Sequence, residues 1–75
     1  MKRSEVVGQN IKIARLKNGL TTKGLSEVTG IPESSLINYE TGYRTPRDAT
    51  KIKLAQALKT PVEDLFFFDQ YKGIE

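Results

Sequence analysis

The segment LSEVTGIPESSLINYETG, residues 25–42, constrains the fold more than any other part of the chain. Two short helical patterns meet there at Gly30-Ile31-Pro32. Glycine tolerates the left-handed backbone that ends a helix, and the fixed φ of proline suits the first turn of the next helix. The segment therefore predicts two helices joined by a tight turn, with Ile31 directed into the core.

The second helix of this pair has two different faces. Leu36 and Tyr39 point one way, and the opposite side falls within an arc of ~140 degrees at 100 degrees per residue. That side carries Glu33, Ser34, Ile37, Asn38 and Thr41. If Leu36 and Tyr39 pack inward, these side chains form a convex ridge about as wide as a DNA major groove.

Caps and apolar periodicity predict three further helices and no strand. We expect Ser4 to cap the first helix and Gly19 to end it. Thr21 should cap the second helix, and Thr60-Pro61 should open a short fifth one. The first four helices are expected at about residues 4–18, 22–30, 32–42 and 47–58. The chain is thus predicted to be an all-α, compact five-helix bundle, with one domain at residues 1–68 and a C-terminal tail at residues 69–75.

The apolar positions of these helices predict one small core and some surplus apolar surface. The expected core residues are Val7, Ile11, Ala14, Leu25, Val28, Leu36, Tyr39, Leu54, Ala55, Leu58, Val62 and Leu65. A second stripe on the first helix, Val6 with Ile13 and Leu16, exceeds what such a core needs. The aromatic residues near the C-terminus are Phe66, Phe67, Phe68 and Tyr71. They either complete the monomer core over the first helix or form a dimer surface.

Two residue types are missing from the 75 residues, and their absence narrows the function. Without Cys there is neither a disulfide framework nor thiolate chemistry, and without His the commonest general base and metal ligand are lost. Glu63, Asp64 and Asp69 are read as a solvated helix face rather than as a catalytic carboxylate pair. We therefore expect no enzyme, no metal, no cofactor and no small-molecule ligand.

Charge and hydropathy favour a cytoplasmic protein. The net charge of +3 and the pI of about 9.3 permit a nucleic-acid partner without requiring one. No apolar run reaches the ~18 residues of a membrane span, and Met1-Lys2-Arg3 leads into a polar helix rather than a signal-peptide core. We expect a nucleoid-associated protein of the reducing cytosol, with no membrane partner.

Spaced positions along residues 7–66 carry a resemblance to a known family. They include Val7-Gly8, Ile11, Ala14-Arg15, Gly19-Leu20-Thr21, Leu25-Ser26, Val28, Gly30-Ile31, Ser34-Ser35-Leu36, Tyr39-Glu40, Gly42, Pro46, Leu54-Ala55, Ala57-Leu58 and Val62-Glu63-Asp64-Leu65-Phe66. The chain resembles the lambda-repressor and Cro-like, or Xre-type, helix-turn-helix domains of bacteria and phages. A bare helix-turn-helix would be a weak signal, but this five-helix pattern is specific.

The resemblance implies that the third helix lies in the major groove. It assigns base contacts to Glu33, Ser34 and Asn38, with Ile37 and Thr41 as further candidates. An Asn38 amide suits a bidentate pair with adenine, and Ile37 suits a thymine methyl group. Glu33 either accepts a hydrogen bond from cytosine N4 or interacts favourably with the positive end of the helix dipole.

Phosphate contacts are expected beside this helix. The first turn of the second helix offers unpaired N–H groups, and hydroxyl, amide and cationic side chains lie on the same side. The candidates are Asn10, Thr22, Lys23, Arg44 and Arg47.

The resemblance also implies an internal ion pair between Arg15 and Glu40, which would join the first and third helices. The alternative is two solvated charges worth well under ~1 kcal/mol. Three residues depart from the family pattern. Pro32 replaces a hydroxyl N-cap, Lys51 occupies a commonly apolar site, and Lys59 stands where a helix-ending Gly is usual.

Two functional interpretations follow. The first is a sequence-specific DNA-binding transcriptional regulator, similar to phage or prophage repressors, that acts as a homodimer on a near-palindromic operator in double-stranded DNA. Its dimer surface would include Phe67, Phe68 and Tyr71. The second is a protein-interaction adaptor or antitoxin-like partner on the same fold, which the modest net charge and Glu33 leave open.

Overall fold

A computed structural model of the protein describes residues 2–66. This part of the chain folds into α1 (Arg3–Lys17), α2 (Thr22–Thr29), α3 (Glu33–Thr41), α4 (Asp48–Ala57) and α5 (Val62–Phe66). The predicted all-α fold with five helices is confirmed. Among residues 2–66, no helix combines the length and apolar character needed to cross a membrane. The boundary predicted at residue 68 and the predicted dimer residues Phe67, Phe68 and Tyr71 lie outside the described residues.

The core forms between all five helices. Its buried apolar members are Val7, Ile11, Ala14, Leu25, Ile31, Leu36, Leu54, Ala55, Leu58, Leu65 and Phe66. Phe66 is only 2% exposed, so the core interpretation is confirmed for this one of the C-terminal aromatic residues. The second stripe of α1 stays accessible, because Ile13 and Leu16 are each more than half exposed.

The prediction that Val28 belongs to the core is wrong, since its side chain is 63% exposed. Leu25, three residues earlier, is fully buried and takes the inward position of α2. A spacing of three residues turns Val28 away from that line by about 60 degrees. It lies at the border between α2 and α4, beside the polar Lys53 and Gln56.

Two helix starts also differ from the predictions. Lys2, not Ser4, is the N-cap of α1, and its backbone N–H donates to Glu5 Oε1 at 2.9 Å. Pro32 is the N-cap of α3 with ψ 140°, so the helix begins at Glu33 rather than at the proline. Thr21 caps α2 as predicted, because its Oγ1 accepts the Gly24 N–H at 2.9 Å.

Helices α1 and α3 cross at Gly8. A Cβ at this position would lie 2.5 Å from the carbonyl oxygen of Tyr39 and closer still to that of Glu40. At the end of α3, Gly42 has φ 83° and lies against Glu5 of α1. Since neither site has room for a Cβ, the backbones of α1 and α3 pack in direct contact, which fixes how α3 is presented.

A buried ion pair joins the same two helices. Arg15 Nε lies 2.7 Å from Glu40 Oε2, and Arg15 Nη2 donates to Glu40 Oε1 at 3.1 Å. Arg15 Nη1 also donates to the Leu20 carbonyl at 2.8 Å. The hydrogen bond to Glu40 raises the pKa of Arg15, against the opposing effect of burial. The guanidinium thus ties α1, α3 and the loop before α2 together.

Lys51 occupies a position that is commonly apolar in related domains, and its charge has partners there. Its ammonium lies 5.6 Å from the centroid of the Phe66 ring and 3.8 Å from Asp48 Oδ1. The aliphatic stem of a lysine covers apolar surface while its charged end remains near water. This explains why the position tolerates a cation.

Candidate nucleic-acid interface

Hydroxyl groups of α2 fix the turn that leads into α3. Gly30 ends α2 with φ 75°, and Ile31 is buried directly after it. The Ser26 hydroxyl donates to the Ile31 carbonyl at 2.5 Å, and the Ile31 N–H donates to Thr29 Oγ1 at 3.1 Å. Because both polar groups of Ile31 are bonded to α2, the two helices hold a defined relative orientation.

The two faces of α3 are separated as the sequence predicts. Leu36 is fully buried, and Tyr39 packs against the core. On the other side Glu33, Ser34 and Thr41 are exposed, Ile37 is 46% exposed and Asn38 is half-buried. The ridge therefore combines carboxylate, hydroxyl, amide and methyl groups, which are the groups that contact base edges.

The loop after α3 is bonded back onto the last turn of the helix. The Asn38 carbonyl accepts the Arg44 N–H at 3.1 Å and the Thr41 hydroxyl at 3.2 Å. These bonds bring Asn38, Thr41 and Arg44 together at one end of the ridge. Tyr43, between Gly42 and Arg44, is 80% exposed. Sequence reasoning did not select Tyr43, although its place in the loop beside a basic residue was an available signal.

At the other end of the ridge, a hydrogen bond joins Thr22, predicted as a phosphate contact, to Glu33, predicted as a base contact. Thr22 is the first residue of α2 and Glu33 the first of α3. The Thr22 hydroxyl donates to Glu33 Oε2 at 2.6 Å. No local pattern signals this pair, because its members are eleven residues apart and meet only through the packing of α2 on α3.

The other predicted contact residues are more scattered. Lys23 is exposed beside Thr22, and Arg47 is exposed as the N-cap residue of α4. Asn10 lies between α1 and α5, where its amide donates to the Leu65 carbonyl at 3.3 Å. The structure therefore does not bring Asn10 together with the α2 and α3 residues.

Within the described part of the chain, no group of three or more Asp or Glu side chains is arranged to hold a metal ion, and the sequence has no His or Cys. The surface instead offers hydrogen-bond donors and acceptors on a rigid helix. Such a surface suits recognition of a macromolecule.

A comparison with family models shows which protein family the chain matches. The model described as helix-turn-helix matches residues 11–65, which include all of α2 and α3. The chain belongs to this family. The match confirms the resemblance of the sequence to the Xre-type, or lambda-repressor-like, helix-turn-helix domains.

Two curated helix-turn-helix relatives come from Bacillus subtilis strain 168. The chain is 34% identical over 64 residues to the transcriptional regulator ImmR and 34% identical over 64 residues to the transcriptional repressor RghR. These matches cover 85% and 84% of the chain, but 50% and 47% of the relatives. The chain thus spans about half the length of the curated relatives it matches.

Solved structures of other helix-turn-helix proteins share the architecture. The restriction-modification controller protein C.AhdI from Aeromonas hydrophila superposes with a TM-score of 0.79 at 28% identity, covering 84% of this chain and 96% of that one. The clp gene regulator ClgR from C. glutamicum gives a TM-score of 0.80 at 21% identity, covering 89% and 87%. The likeness to ClgR concerns the fold alone.

Proposed function

We propose that the protein is a sequence-specific DNA-binding transcriptional regulator, similar to a phage or prophage repressor, whose α3 enters the major groove. The supporting observation is the division of α3 into a buried side at Leu36 and an accessible side from Glu33 to Thr41. An α-helix fits the major groove only with such an outward face. Its relatives ImmR and RghR are named as a transcriptional regulator and a transcriptional repressor.

Asn38 and Ile37 are the proposed readers of sequence. An amide forms two hydrogen bonds with the N6 and N7 edge of adenine, and a branched aliphatic group packs on the methyl of thymine. Two hydrogen bonds to the Asn38 backbone carbonyl hold the backbone from which the side-chain amide projects. Ser34 adds a hydroxyl that accepts or donates at a neighbouring base, and the Thr41 hydroxyl, which donates to the Asn38 carbonyl, can accept there.

Phosphate contacts are proposed at both ends of the ridge. Arg44 and Arg47 supply positive charge after α3, and Lys23 supplies it at the start of α2. The exposed phenol of Tyr43 adds a hydroxyl donor beside Arg44. The backbone N–H groups at the start of α2 complete the set, including that of Thr22, whose hydroxyl already donates to Glu33. Asn10 is left out, because its amide is bonded to α5.

We further propose that the protein acts as a homodimer. Two-fold symmetry would place two copies of α3 about one DNA turn, ~34 Å, apart on a near-palindromic operator. The exposed Ile13 and Leu16 on α1 support an apolar contact, and Phe67, Phe68 and Tyr71 are candidates to extend it. Sedimentation of Ile13→Asp and Phe68→Asp variants tests this arrangement. Folded monomers are expected, whereas an unchanged mass would count against the surface.

Selection of binding sites from random duplex DNA tests the whole proposal. We expect an enriched, near-symmetric sequence whose half-sites are one helical turn apart. Affinity for mixed DNA should fall steeply as salt rises, because neutralised phosphates release counterions. Absence of enrichment together with salt-independent or undetectable binding would favour the adaptor or antitoxin-like alternative.

A further inference from the structure

A groove of about 420 Å³ lies at the N-terminal end of α1, beside α4 and α5. It is lined by the apolar side chains of Val7 and Phe66. Lys2, Arg3 and Lys51 line it as well, and the lining within the described part of the chain contains no acidic side chain. Its volume is in the range of sites that hold a small ligand. This N-terminal groove therefore suits an occupant that combines apolar surface with negative charge.

The last turn of α5 brings the chain to this groove. Asn10 Nδ2 donates to the Leu65 carbonyl at 3.3 Å, and Arg3 Nη2 donates to the Phe66 carbonyl at 3.1 Å. These two bonds hold the last two carbonyl groups of α5 against α1. Because Phe66 itself lines the groove, the chain continues from the edge of the groove.

The sequence that follows Phe66 has matching chemistry. FFDQY, residues 67–71, forms a C-terminal segment that lies outside the described residues and combines aromatic groups with one carboxylate. Asp69 comes three residues after Phe66, and three extended residues span up to ~10 Å. Lys51 Nζ lies 5.6 Å from the centroid of the Phe66 ring, and Arg3 is bonded to the Phe66 carbonyl. Both cations are therefore within reach of the Asp69 carboxylate.

We propose that the C-terminal segment occupies the N-terminal groove of the same molecule, with the Asp69 carboxylate between Arg3 and Lys51. Phe67, two residues before Asp69, shares its side of an extended segment and covers the apolar lining. The carboxylate then meets the cations while the ring leaves water.

The short connection favours the segment of the same molecule over that of a second copy. A site joined to its ligand by a few residues experiences an effective concentration in the millimolar range. Phe68 falls on the opposite side of an extended segment from Phe67 and remains available for the proposed dimer contact.

The pairing also accounts for a lysine at a position that is commonly apolar. The side chain of Lys51 is only 19% exposed, whereas that of Asp48, at 3.8 Å, is 96% exposed. A long ion pair with an exposed partner contributes little. A largely buried ammonium has three donors and gains more from a second carboxylate held close by. Asp69 supplies that carboxylate.

The docked segment also affects DNA binding, a consequence that rests on the proposed function. Thr45 lines the groove and follows Arg44 in the loop after α3. The groove cations thus lie beside the phosphate contacts proposed for that loop. A carboxylate placed among them weakens their attraction for phosphates, so the docked segment should lower affinity for all duplex sequences alike.

Disulfide trapping tests the docking without any DNA. The chain has no Cys, so two introduced cysteines report one contact. The full-length variant Thr45→Cys/Tyr71→Cys joins the groove to the C-terminal segment. Lys17→Cys/Tyr71→Cys is the matched control, because Lys17 is also exposed and lines the neighbouring groove with Leu65. Equilibration with glutathione gives the effective concentration of each pair.

We expect the effective concentration to be ~10-fold higher for the Thr45 pair than for the Lys17 pair. An equal or higher value for the Lys17 pair would overturn the proposal. Disulfide-linked dimers as the main product would assign the groove to the segment of a second copy, which would also overturn it. Thermal unfolding of the reduced variants shows that each is folded.

A charge variant tests the role of Asp69 in the same assay. Asp69→Asn, added to the Thr45 pair, should lower its effective concentration about two- to fivefold, as expected for loss of an ion pair near the surface. Glu75→Gln removes an equal charge outside the C-terminal segment and should leave the value unchanged. Equal values for Asp69→Asn and the parent pair would contradict the carboxylate as the anchor.

Affinity for random duplex DNA separates this inference from the proposed function. In the cysteine-free chain, Asp69→Asn should bind about two- to fivefold more tightly than Glu75→Gln, since only the former releases the groove cations. A wild type that binds no DNA would contradict the proposed function, while the disulfide result would still decide the docking. Equal affinities of the two variants would contradict the effect of docking on DNA binding.

Discussion

The two glutamates of α3 accept hydrogen bonds in opposite environments. Glu40 pairs with Arg15 where the side chains are only 9% and 10% exposed, and Glu33 accepts from Thr22 on an exposed surface. One end of the helix uses its carboxylate to attach α3 to α1, and the other presents it to solvent. Burial, rather than residue type, thus separates the stabilising role of Glu40 from the recognition role proposed for Glu33.

The energetics of the two environments differ accordingly. A buried charge that loses its partner keeps its desolvation cost, so breaking a buried pair is strongly destabilising. An exposed bond exchanges readily with water and contributes little to stability. Changes near Glu40 should therefore act on folding, and changes near Glu33 on binding.

The largest effect is expected from Glu40→Ala. The substitution leaves the Arg15 guanidinium buried without its carboxylate, and we expect a loss of ~3–5 kcal/mol in the free energy of unfolding. Urea denaturation followed by circular dichroism measures this loss. Glu33→Ala is the matched control on the same helix and should change the free energy by less than ~1 kcal/mol. Similar losses in both variants would show that burial does not distinguish the two glutamates.

Gly8→Ala should give the next largest loss in the free energy of unfolding, because it also disturbs the packing of α3 on α1. Its new Cβ would meet the backbone oxygens of Tyr39 and Glu40, so the helices must move apart at a cost of ~1–3 kcal/mol. Gly24→Ala in α2 is the control, because the nearest atom to its Cβ is the Thr21 hydroxyl at 3.3 Å. It should change stability by no more than ~1 kcal/mol. A harmless Gly8→Ala would contradict the close crossing.

Asn38→Ala should leave folding nearly unchanged and act on recognition. We expect operator binding to weaken by ~1–3 kcal/mol, with relaxed preference at one base pair, because the proposed amide pair with adenine would be lost. Arg44→Ala is the contrast, since losing the phosphate contact proposed for Arg44 should weaken binding to all sequences alike and lower the salt slope by about one. Equal losses for both variants on operator and random DNA would argue against base readout by Asn38.

The fold was largely predictable because its signals are local. The Thr21 cap and the glycines Gly30 and Gly42 act on their own neighbours, so the residues alone reveal the helix ends they produce. The first helix was placed too late because Glu5 bonds the Lys2 N–H, which extends α1 past the expected Ser4 cap. Where a nearby side chain competes with a cap, the pattern does not say which one forms.

The candidate site was predictable in outline but not in its contacts. Helical periodicity gave the outward set on α3, since that property follows from burying Leu36. The Arg15 and Glu40 pair came from the family resemblance, because residues 25 apart have no local signature. The Thr22 and Glu33 bond and the place of Asn10 against α5 depend on how helices pack, which one sequence does not encode locally.

The smallest effect is expected from Lys59→Gly, at a position distant in sequence from both glutamates. This variant tests whether a change in stability there leaves DNA binding unaffected. Lys59 ends the α4 region with φ 52°, a left-handed backbone that strains a residue with a Cβ. Lys59→Gly should stabilise the fold by about 0.5–1 kcal/mol, because the relieved strain exceeds the added entropy of the unfolded glycine. Calorimetry should show this as a higher Tm.

Lys53→Gly provides the matched control, since it removes the same charge from an exposed position inside α4. There glycine replaces a good helix former, and we expect a loss of about 1 kcal/mol instead of a gain. The two variants have equal net charge, so any general electrostatic effect on DNA affinity should be similar. If Lys59→Gly lowered the Tm as Lys53→Gly does, strain at residue 59 would not be the governing factor, and the side chain itself would be contributing to the junction of α4 and α5.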